Sequence, residues 1–215
     1  MNDTTTPSFI VGVVLAGGRS QRMGLDKARV LLAGKSLLQH ACDRLATQVN
    51  QLVINANSQG TSLTQTNLHI ISDTLEGHPG PLAGLLAAMR WAETSSVKAT
   101  HVVMVPVDTP FFPIDLVQRL VSGMKQASGS QVAFATTADG DQPVFALIDI
   151  RLVDELEVDL KSGKARRVGE WLRSHPFVAV RFDDAQAFFN LNTPADVTEA
   201  ERVHERLTQK RSKSS

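Results

Sequence analysis

The 215-residue chain has a single cysteine, Cys42, and no tyrosine. A lone cysteine makes no internal disulfide and no cysteine-based zinc centre, and it suits a reducing compartment. Neither sign of charge is in excess, since 22 Lys and Arg stand against 22 Asp and Glu. Proteins that live on nucleic acid carry a basic surplus to displace counterions from phosphates, so that class is set aside. No apolar run approaches the roughly 18 residues of a membrane span. The opening MNDTTTPSF lacks the charged start and apolar core of a secretory signal. The expectation is a cytoplasmic protein without a membrane or nucleic-acid partner.

What is present is ordinary globular material, 42% hydrophobic and 20% charged. At roughly 100–200 residues per domain, the length predicts one domain. Apolar β-branched runs alternate with stretches of helical period. Strands are expected at Ile10–Leu15, Leu52–Ala56, near His69–Ser72 and at His101–Val105. Further strands are expected near 131–136, 143–149 and Val178–Phe182. Helices are expected at 36–49, Leu82–Ala92, from Pro113 through Met124, about Asp149–Leu160, near 166–174, and from Thr193 onward. Thr193 is a capping hydroxyl, Pro194 suits the first helical position, and Asp196 adds an acid in the first turn. Such alternation predicts a three-layer α/β fold, a mostly parallel twisted sheet with helices on both faces, Rossmann-like in kind. Ligands then bind beyond the carboxyl ends of the strands. The loops after Leu15, Ala56, Ser72 and Val105 are therefore where chemistry should lie.

The first of these loops, Leu15-Ala16-Gly17-Gly18-Arg19-Ser20-Gln21-Arg22-Met23-Gly24, joins glycines to basic residues. Glycine lets backbone N–H groups approach a phosphate closely, and successive N–H groups form an anion-binding nest. Lys27 adds a further charge nearby. The dinucleotide pattern G-x-G-x-x-G is absent, because Gly17 and Gly18 are adjacent and the next glycine is Gly24. The Walker pattern fails as well: Arg29 stands where its first glycine belongs, so Gly34-Lys35-Ser36 reads as a turn and a helix cap.

Leu15-Ala16-Gly17-Gly18, Arg22-Met23-Gly24 and Asp26-Lys27 together resemble the signature loop of nucleotidyltransferases. From about Ile10 to about Glu199 the chain resembles the molybdenum cofactor guanylyltransferases. The resemblance implies that Leu15, Ala16, Gly17 and Gly18 wrap the phosphates of GTP. It makes Lys27 the loop lysine that offsets charge on the α-phosphate. It also divides the domain into a nucleotide-binding half, about 10–110, and a pterin acceptor half, about 111–200, with 208–215 a frayed tail. Some relatives read Met-Gly-Gly-x-Asp-Lys in the loop, one residue more than this chain has.

Pro106-Val107-Asp108-Thr109-Pro110 places a carboxylate just past a strand end. Mg²⁺ prefers hard oxygen ligands and is commonly held by one or two carboxylates plus substrate phosphates, so Asp108 is the candidate metal ligand. The resemblance agrees, through a Pro-x-Asp-Thr-Pro motif in which others have Cys or Gly where Val107 stands. Asn55 and Asp73, at two further strand ends, take GTP contacts from the same resemblance. Gly80-Pro81-Leu82-Ala83-Gly84 resembles the segment that packs near the guanine. Asn190-Leu191-Asn192-Thr193-Pro194 resembles the family's Asn-x-Asn-Thr-Pro motif, which makes Asn190 and Asn192 the acceptor-side candidates, expected to point to one face of a strand. Asp141–Leu147 resembles the strand behind the acceptor pocket. The basic run Lys161–Arg167 reads first as a solvated turn and second as a patch for an anionic pterin.

The implied activity is Mg²⁺-dependent transfer of GMP from GTP to the terminal phosphate of molybdopterin, with or without molybdenum, releasing pyrophosphate. Other cofactor-biosynthesis proteins and apo-molybdoenzymes are the implied macromolecular partners. A cytidylyltransferase on the same pterin and a sugar-phosphate nucleotidyltransferase are the alternatives within the fold. A non-catalytic nucleotide-binding module is the alternative outside it.

Overall fold

A computed structural model describes residues 8–17, 28, 30–57, 68–75, 77, 80–94 and 98–202. The strands are β1 (Ile10–Leu15), β2 (Leu31–Leu32), β3 (Lys35–Ser36), β4 (Gln51–Asn55), β5 (His69–Ile71), β6 (His101–Pro106), β7 (Val132–Thr137), β8 (Gly140–Asp149) and β9 (Phe177–Arg181). The α-helices are α1 (Leu37–Ala46), α2 (Pro81–Thr94), α3 (Leu116–Gln126), α4 (Val153–Lys161) and α5 (Val168–Arg173). Residues 194–202 are also helical. Among the described residues no helix is long and apolar enough to cross a membrane.

Seven strands form one sheet in the order β5-β4-β1-β6-β8-β7-β9, and β2 and β3 form a separate hairpin. Every pairing in the large sheet is parallel except the two made by β8. This is the predicted mostly parallel sheet. Strand β1 lies centrally because it can be covered on both sides: Val11, Val13 and Val14 are wholly buried. Alternation along β1 sorts its side chains between two cores. Ile10 and Val14 join α1 and α3 in one core, and Val11 and Val13 join α2, α4 and α5 in the other. Helix α1 buries Leu37, Leu38, Ala41, Cys42 and Leu45, the one-face spacing expected of it. Each fully covered leucine contributes about 1.5–3 kcal/mol.

Several local expectations are met in detail. Ala33 and Gly34 turn the β2–β3 hairpin with positive φ of 48° and 80°. The Ser36 hydroxyl then caps α1 by accepting from the Gln39 amide at 3.1 Å. The Thr193 hydroxyl accepts from Asp196 N at 3.2 Å, and the Asp196 carboxylate accepts in return from Thr193 N at 2.8 Å. Helix α2 starts at Pro81, as its missing N–H permits.

Several boundaries differ from the sequence reading, and two of them bear on the site. Helix α3 begins at Leu116 rather than Pro113, because the Pro113 carbonyl closes a preceding turn with Leu116 N at 3.2 Å. Strand β8 begins at Gly140 rather than 143, since it forms a hairpin with β7. Phe134 pairs with Ala146 and its neighbour Ala135 with Gln142, so residues 143–145 bulge out of the ladder. Pro143 has no N–H to give that ladder, which explains the bulge.

The basic run 161–167 turns the chain after α4, as first read. Lys161 pairs with Glu157 at 2.5 Å, Lys164 with buried Asp159 at 3.0 Å and Arg167 with Glu170 at 3.0 Å. Arg166 donates to the Gly163 carbonyl at 2.9 Å. These charges are matched locally.

Candidate functional site

The strand ends converge because the register aligns them. Leu15 is level with Asn55 on one side and Pro106 on the other, and Asn55 is level with Ile71. The ladder runs one step further, through Ala16 N to Asn55 O at 2.9 Å, Ala56 N to Ile71 O at 2.9 Å and Val107 N to Leu15 O at 3.1 Å. Four loops thus leave the sheet from one rung, carrying Gly17, Asn57, Asp73 and Asp108. Strand order reverses between β1 and β6, with α1 and α2 on opposite faces, which makes this the switch point where such sheets hold their ligand crevice.

On the β4–β5 side, three polar residues lock together. Asn55 Nδ2 donates to Asp73 Oδ1 at 2.9 Å, and Asn57 Nδ2 donates to Asp73 Oδ2 at 2.6 Å. Asp73 N donates back to Asn57 Oδ1 at 2.9 Å. Asn55 is only 4% exposed, so it braces the carboxylate from below while Asp73 stays part-exposed. Asn57 was not a candidate from sequence. Its signal lay in the Asn-x-Asn spacing around the end of β4, which places two carboxamides beside one acid.

Helix α2 presses on this group. A Cβ at Gly84 would come within 2.8 Å of both Asn55 Cγ and Leu15 Cδ2, so only glycine allows the helix to sit there. The first turn of α2 therefore overlies the ends of β1 and β4, with its positive dipole end at the crevice. Gly17 faces the same pair: a Cβ there would stand 3.5 Å from Asn55 Oδ1 and 3.7 Å from Asn57 Nδ2.

On the β6 side, Asp108 sits part-exposed just beyond the strand, next to Thr109, which is wholly buried. The Thr109 hydroxyl donates to Asn190 Oδ1 and lies 3.5 Å from Asp108 Oδ1. Leu191 N donates to the Asp108 carbonyl at 2.8 Å. Asn190 and Asn192 are exposed while Leu191 is buried, so the expected alternation holds. The strand expected there does not form. The Leu191 amide bonds to the Asp108 turn instead of a sheet neighbour, and 190–192 are irregular.

Asn190 and Asn192 open onto a cavity of about 1010 Å³ lined also by Arg44, Arg119, Gln142, Phe182 and Phe188. Phe182 and Phe188 belong to a chain of rings that runs on beneath the cavity. Phe145 meets Phe188 edge-on at 4.9 Å, Phe188 meets Phe182 at 5.4 Å, and the Arg119 guanidinium covers Phe182 at 4.0 Å. The bulge at 143–145 delivers Phe145 to this cluster and Gln142 to the rim. Asp115, Asp139, Asp183, Asp184 and Glu199 make the rim acidic. Apart from the two asparagines and Gln142, which lies in the segment Asp141–Leu147, these cavity residues are not singled out by the sequence, because they come from distant segments.

Gly18, Arg19, Arg22 and Lys27 lie outside the described residues, as does the tail 208–215. Cys42 is no nucleophile: burial first, then the Asp43 charge, push its thiol up to about 12. Asp108 offers a part-exposed carboxylate, an oxygen donor of the kind a hard cation takes. Among the described residues no group of three or more His, Cys, Asp or Glu could hold a metal ion.

The chain is similar to known proteins in sequence and in fold. The MobA-like NTP transferase domain family matches residues 12–177. A molybdenum cofactor guanylyltransferase of Rhizobium johnstonii is 42% identical over 207 residues, covering 93% of this chain and 95% of that protein. One from Bordetella pertussis is 42% identical over 193 residues, covering 87% and 94%. Among solved structures, molybdopterin-guanine dinucleotide biosynthesis protein A from Archaeoglobus fulgidus superposes with a TM-score of 0.74 at 25% identity, covering 92% of this chain and all of that one.

Proposed function

Since the chain belongs to the MobA-like NTP transferase family, we propose that it transfers GMP from GTP to the terminal phosphate of molybdopterin and releases pyrophosphate. One observation carries this reading: the turn holding Asp108 is hydrogen-bonded to the segment holding Asn190. A phosphate-binding crevice and an acceptor cavity thus share a wall, as a two-substrate transfer requires.

The nucleotide side is a crevice at the ends of parallel strands. The backbone N–H group of Gly17, with the loop that follows, takes the phosphates. Asp73, braced by Asn55 and Asn57, offers an acceptor to ribose or base N–H and O–H groups. Asp108 is the residue that would hold Mg²⁺, together with phosphate oxygens. Bound there, the ion supplies positive charge against the triphosphate. Lys27 adds a second positive charge at the α-phosphate.

The acceptor side suits a flat heterocycle with an anionic tail. The apolar lining, with Phe111, Phe182, Phe188 and Phe189, accommodates rings, and the acidic rim accepts from the amino and N–H donors of an aminopyrimidine edge. The acidic rim disfavours phosphate, so the tail points toward Asp108 and the cation. In the reaction, a terminal phosphate oxygen forms a bond to the α-phosphorus and the α–β bridging P–O bond breaks. A phosphate monoester is already an anionic nucleophile near neutral pH, so no general base is needed. Positioning and charge stabilisation carry the catalysis.

Calorimetric titration with GTP, CTP, ATP and UTP in the presence of Mg²⁺ tests the nucleotide half. Selective GTP binding supports the reading. A preference for CTP moves the enzyme to cytidylyl transfer with the chemistry unchanged, and binding of none contradicts the assignment of the crevice.

A further inference from the structure

We infer that Thr109 is a positioning residue that fixes the carboxamide of Asn190, so that Asn190 presents its NH₂ group to the acceptor substrate. The inference deepens the proposed function, on which it rests for the identity of the acceptor. It stands on the geometry of two segments 81 residues apart in sequence.

Thr109 is wholly buried, and its hydroxyl has two polar neighbours: it donates to Asn190 Oδ1 and lies 3.5 Å from Asp108 Oδ1. An asparagine carboxamide has one accepting end and one donating end. With Oδ1 engaged by Thr109, the end that Asn190 turns to the cavity is Nδ2. The backbone bond from Leu191 N to the Asp108 carbonyl, at 2.8 Å, and the buried Leu191 side chain hold the segment at that distance. Asn190 therefore recognises a hydrogen-bond acceptor, such as a ring carbonyl, a ring nitrogen or a phosphate oxygen. The acceptor contact and the nucleotide-side carboxylate are built from adjacent residues, Asp108 and Thr109. Acceptor affinity is thus set by a residue that touches neither substrate.

The test compares wild type with Thr109→Val, which keeps the shape and removes the hydroxyl, and with Thr109→Ser, which keeps the hydroxyl. Steady-state rates with GTP and molybdopterin give KM for each. Side-chain amide resonances of Asn190 in the ligand-free protein report the carboxamide directly. One hydrogen bond corresponds to roughly 3- to 10-fold in affinity. The Val variant is expected to raise KM for molybdopterin by that factor, leave KM for GTP within about twofold and shift the Asn190 resonances; Ser restores wild-type values. Asn190→Asp, which keeps an oxygen for Thr109 but offers the cavity no donor, is expected to weaken molybdopterin at least as much. Unchanged molybdopterin KM and unchanged Asn190 resonances in the Val variant overturn the inference. So does an equal rise in both KM values with a lower Tm, which marks a structural tie only. If wild type transfers nothing to molybdopterin, the functional reading falls, and the resonances alone decide whether Thr109 sets the amide.

Discussion

The two halves of the molecule are assembled by different means. The half from β5 to β6 is parallel, and its functional groups sit on short loops leaving one rung of the sheet. The half from β8 to β9 contains the antiparallel strand, and its cavity is walled by side chains from α1, α3, β8 and the segment 182–200. In the first, position follows from strand register, which the backbone enforces. In the second, it follows from the packing of Phe112, Phe145, Phe182 and Phe188 against one another. Nucleotide binding should therefore respond to changes at strand ends, and acceptor binding to changes in the aromatic floor.

The largest effect should come where the halves meet. Asp108→Ala is expected to lower turnover on the order of 10³-fold, about 4 kcal/mol of transition-state stabilisation, with Tm unchanged. Retention of full Mg²⁺-dependent activity by that variant would show that the metal is held elsewhere. Phe188→Ala separates the halves. Phe188 is 5% exposed and touches two other rings, so its loss should cost about 3 kcal/mol of stability. Below the new melting temperature it should raise KM for the acceptor while leaving GTP affinity close to wild type. Equal loss on both sides would mean that the cavity and crevice are one cooperative site.

Gly84→Ala probes the nucleotide half alone. Alanine is favoured over glycine within a helix by about 1 kcal/mol, but overpacking against Asn55 and Leu15 costs about 1–3 kcal/mol. The clash should win by about 1 kcal/mol in urea denaturation, and GTP affinity should fall as Asn55 shifts beneath Asp73. Neutral stability with unchanged GTP binding would show that the helix can move away without disturbing the brace.

The smallest effect lies at the other end of β6, away from both sites. Burial chiefly, with Arg151 adding to it and Asp149 opposing, holds His101 below the ordinary histidine range. Folding thus favours the neutral imidazole. Its contribution to stability is complete above the ordinary histidine pKa and is lost as pH falls through the folded value. Asp149 is opposed by burial, yet its bonds to Arg151 keep it below the usual aspartate range, so its contribution persists until more acidic pH. The urea midpoint of wild type should decline slightly below about pH 6.5, and His101→Gln should remove that first decline. An unchanged profile in the variant would assign the decline to other groups.

The same contrast explains what could be read from the sequence. Strand ends are marked by where an apolar run stops, so Leu15, Asn55, Asp73 and Asp108 are visible as a set in the sequence. The β7–β8 hairpin and the bulge at 143–145 were not. Pro143 was visible, but its consequence depends on which strand lies opposite. The strand expected at 190–192 failed for a related reason: alternation was correct, while the hydrogen-bond partner proved to be the Asp108 turn. Thr109 lies inside the Pro-x-Asp-Thr-Pro motif and Asn57 two residues past Asn55, but their roles are side-chain bonds across 81 and 16 residues, which spacing does not reveal. The aromatic floor is legible only as buried hydrophobics until the fold brings the rings together.

The central claim is the transfer itself, and pyrophosphate release tests it most directly. Wild-type protein with Mg²⁺ is mixed with GTP or CTP, each with and without molybdopterin, and pyrophosphate is quantified. The account predicts release from GTP only when molybdopterin is present, with little from CTP and almost none with Asp108→Ala. Specific GTP binding without molybdopterin-dependent release would contradict it and leave a nucleotide-binding module.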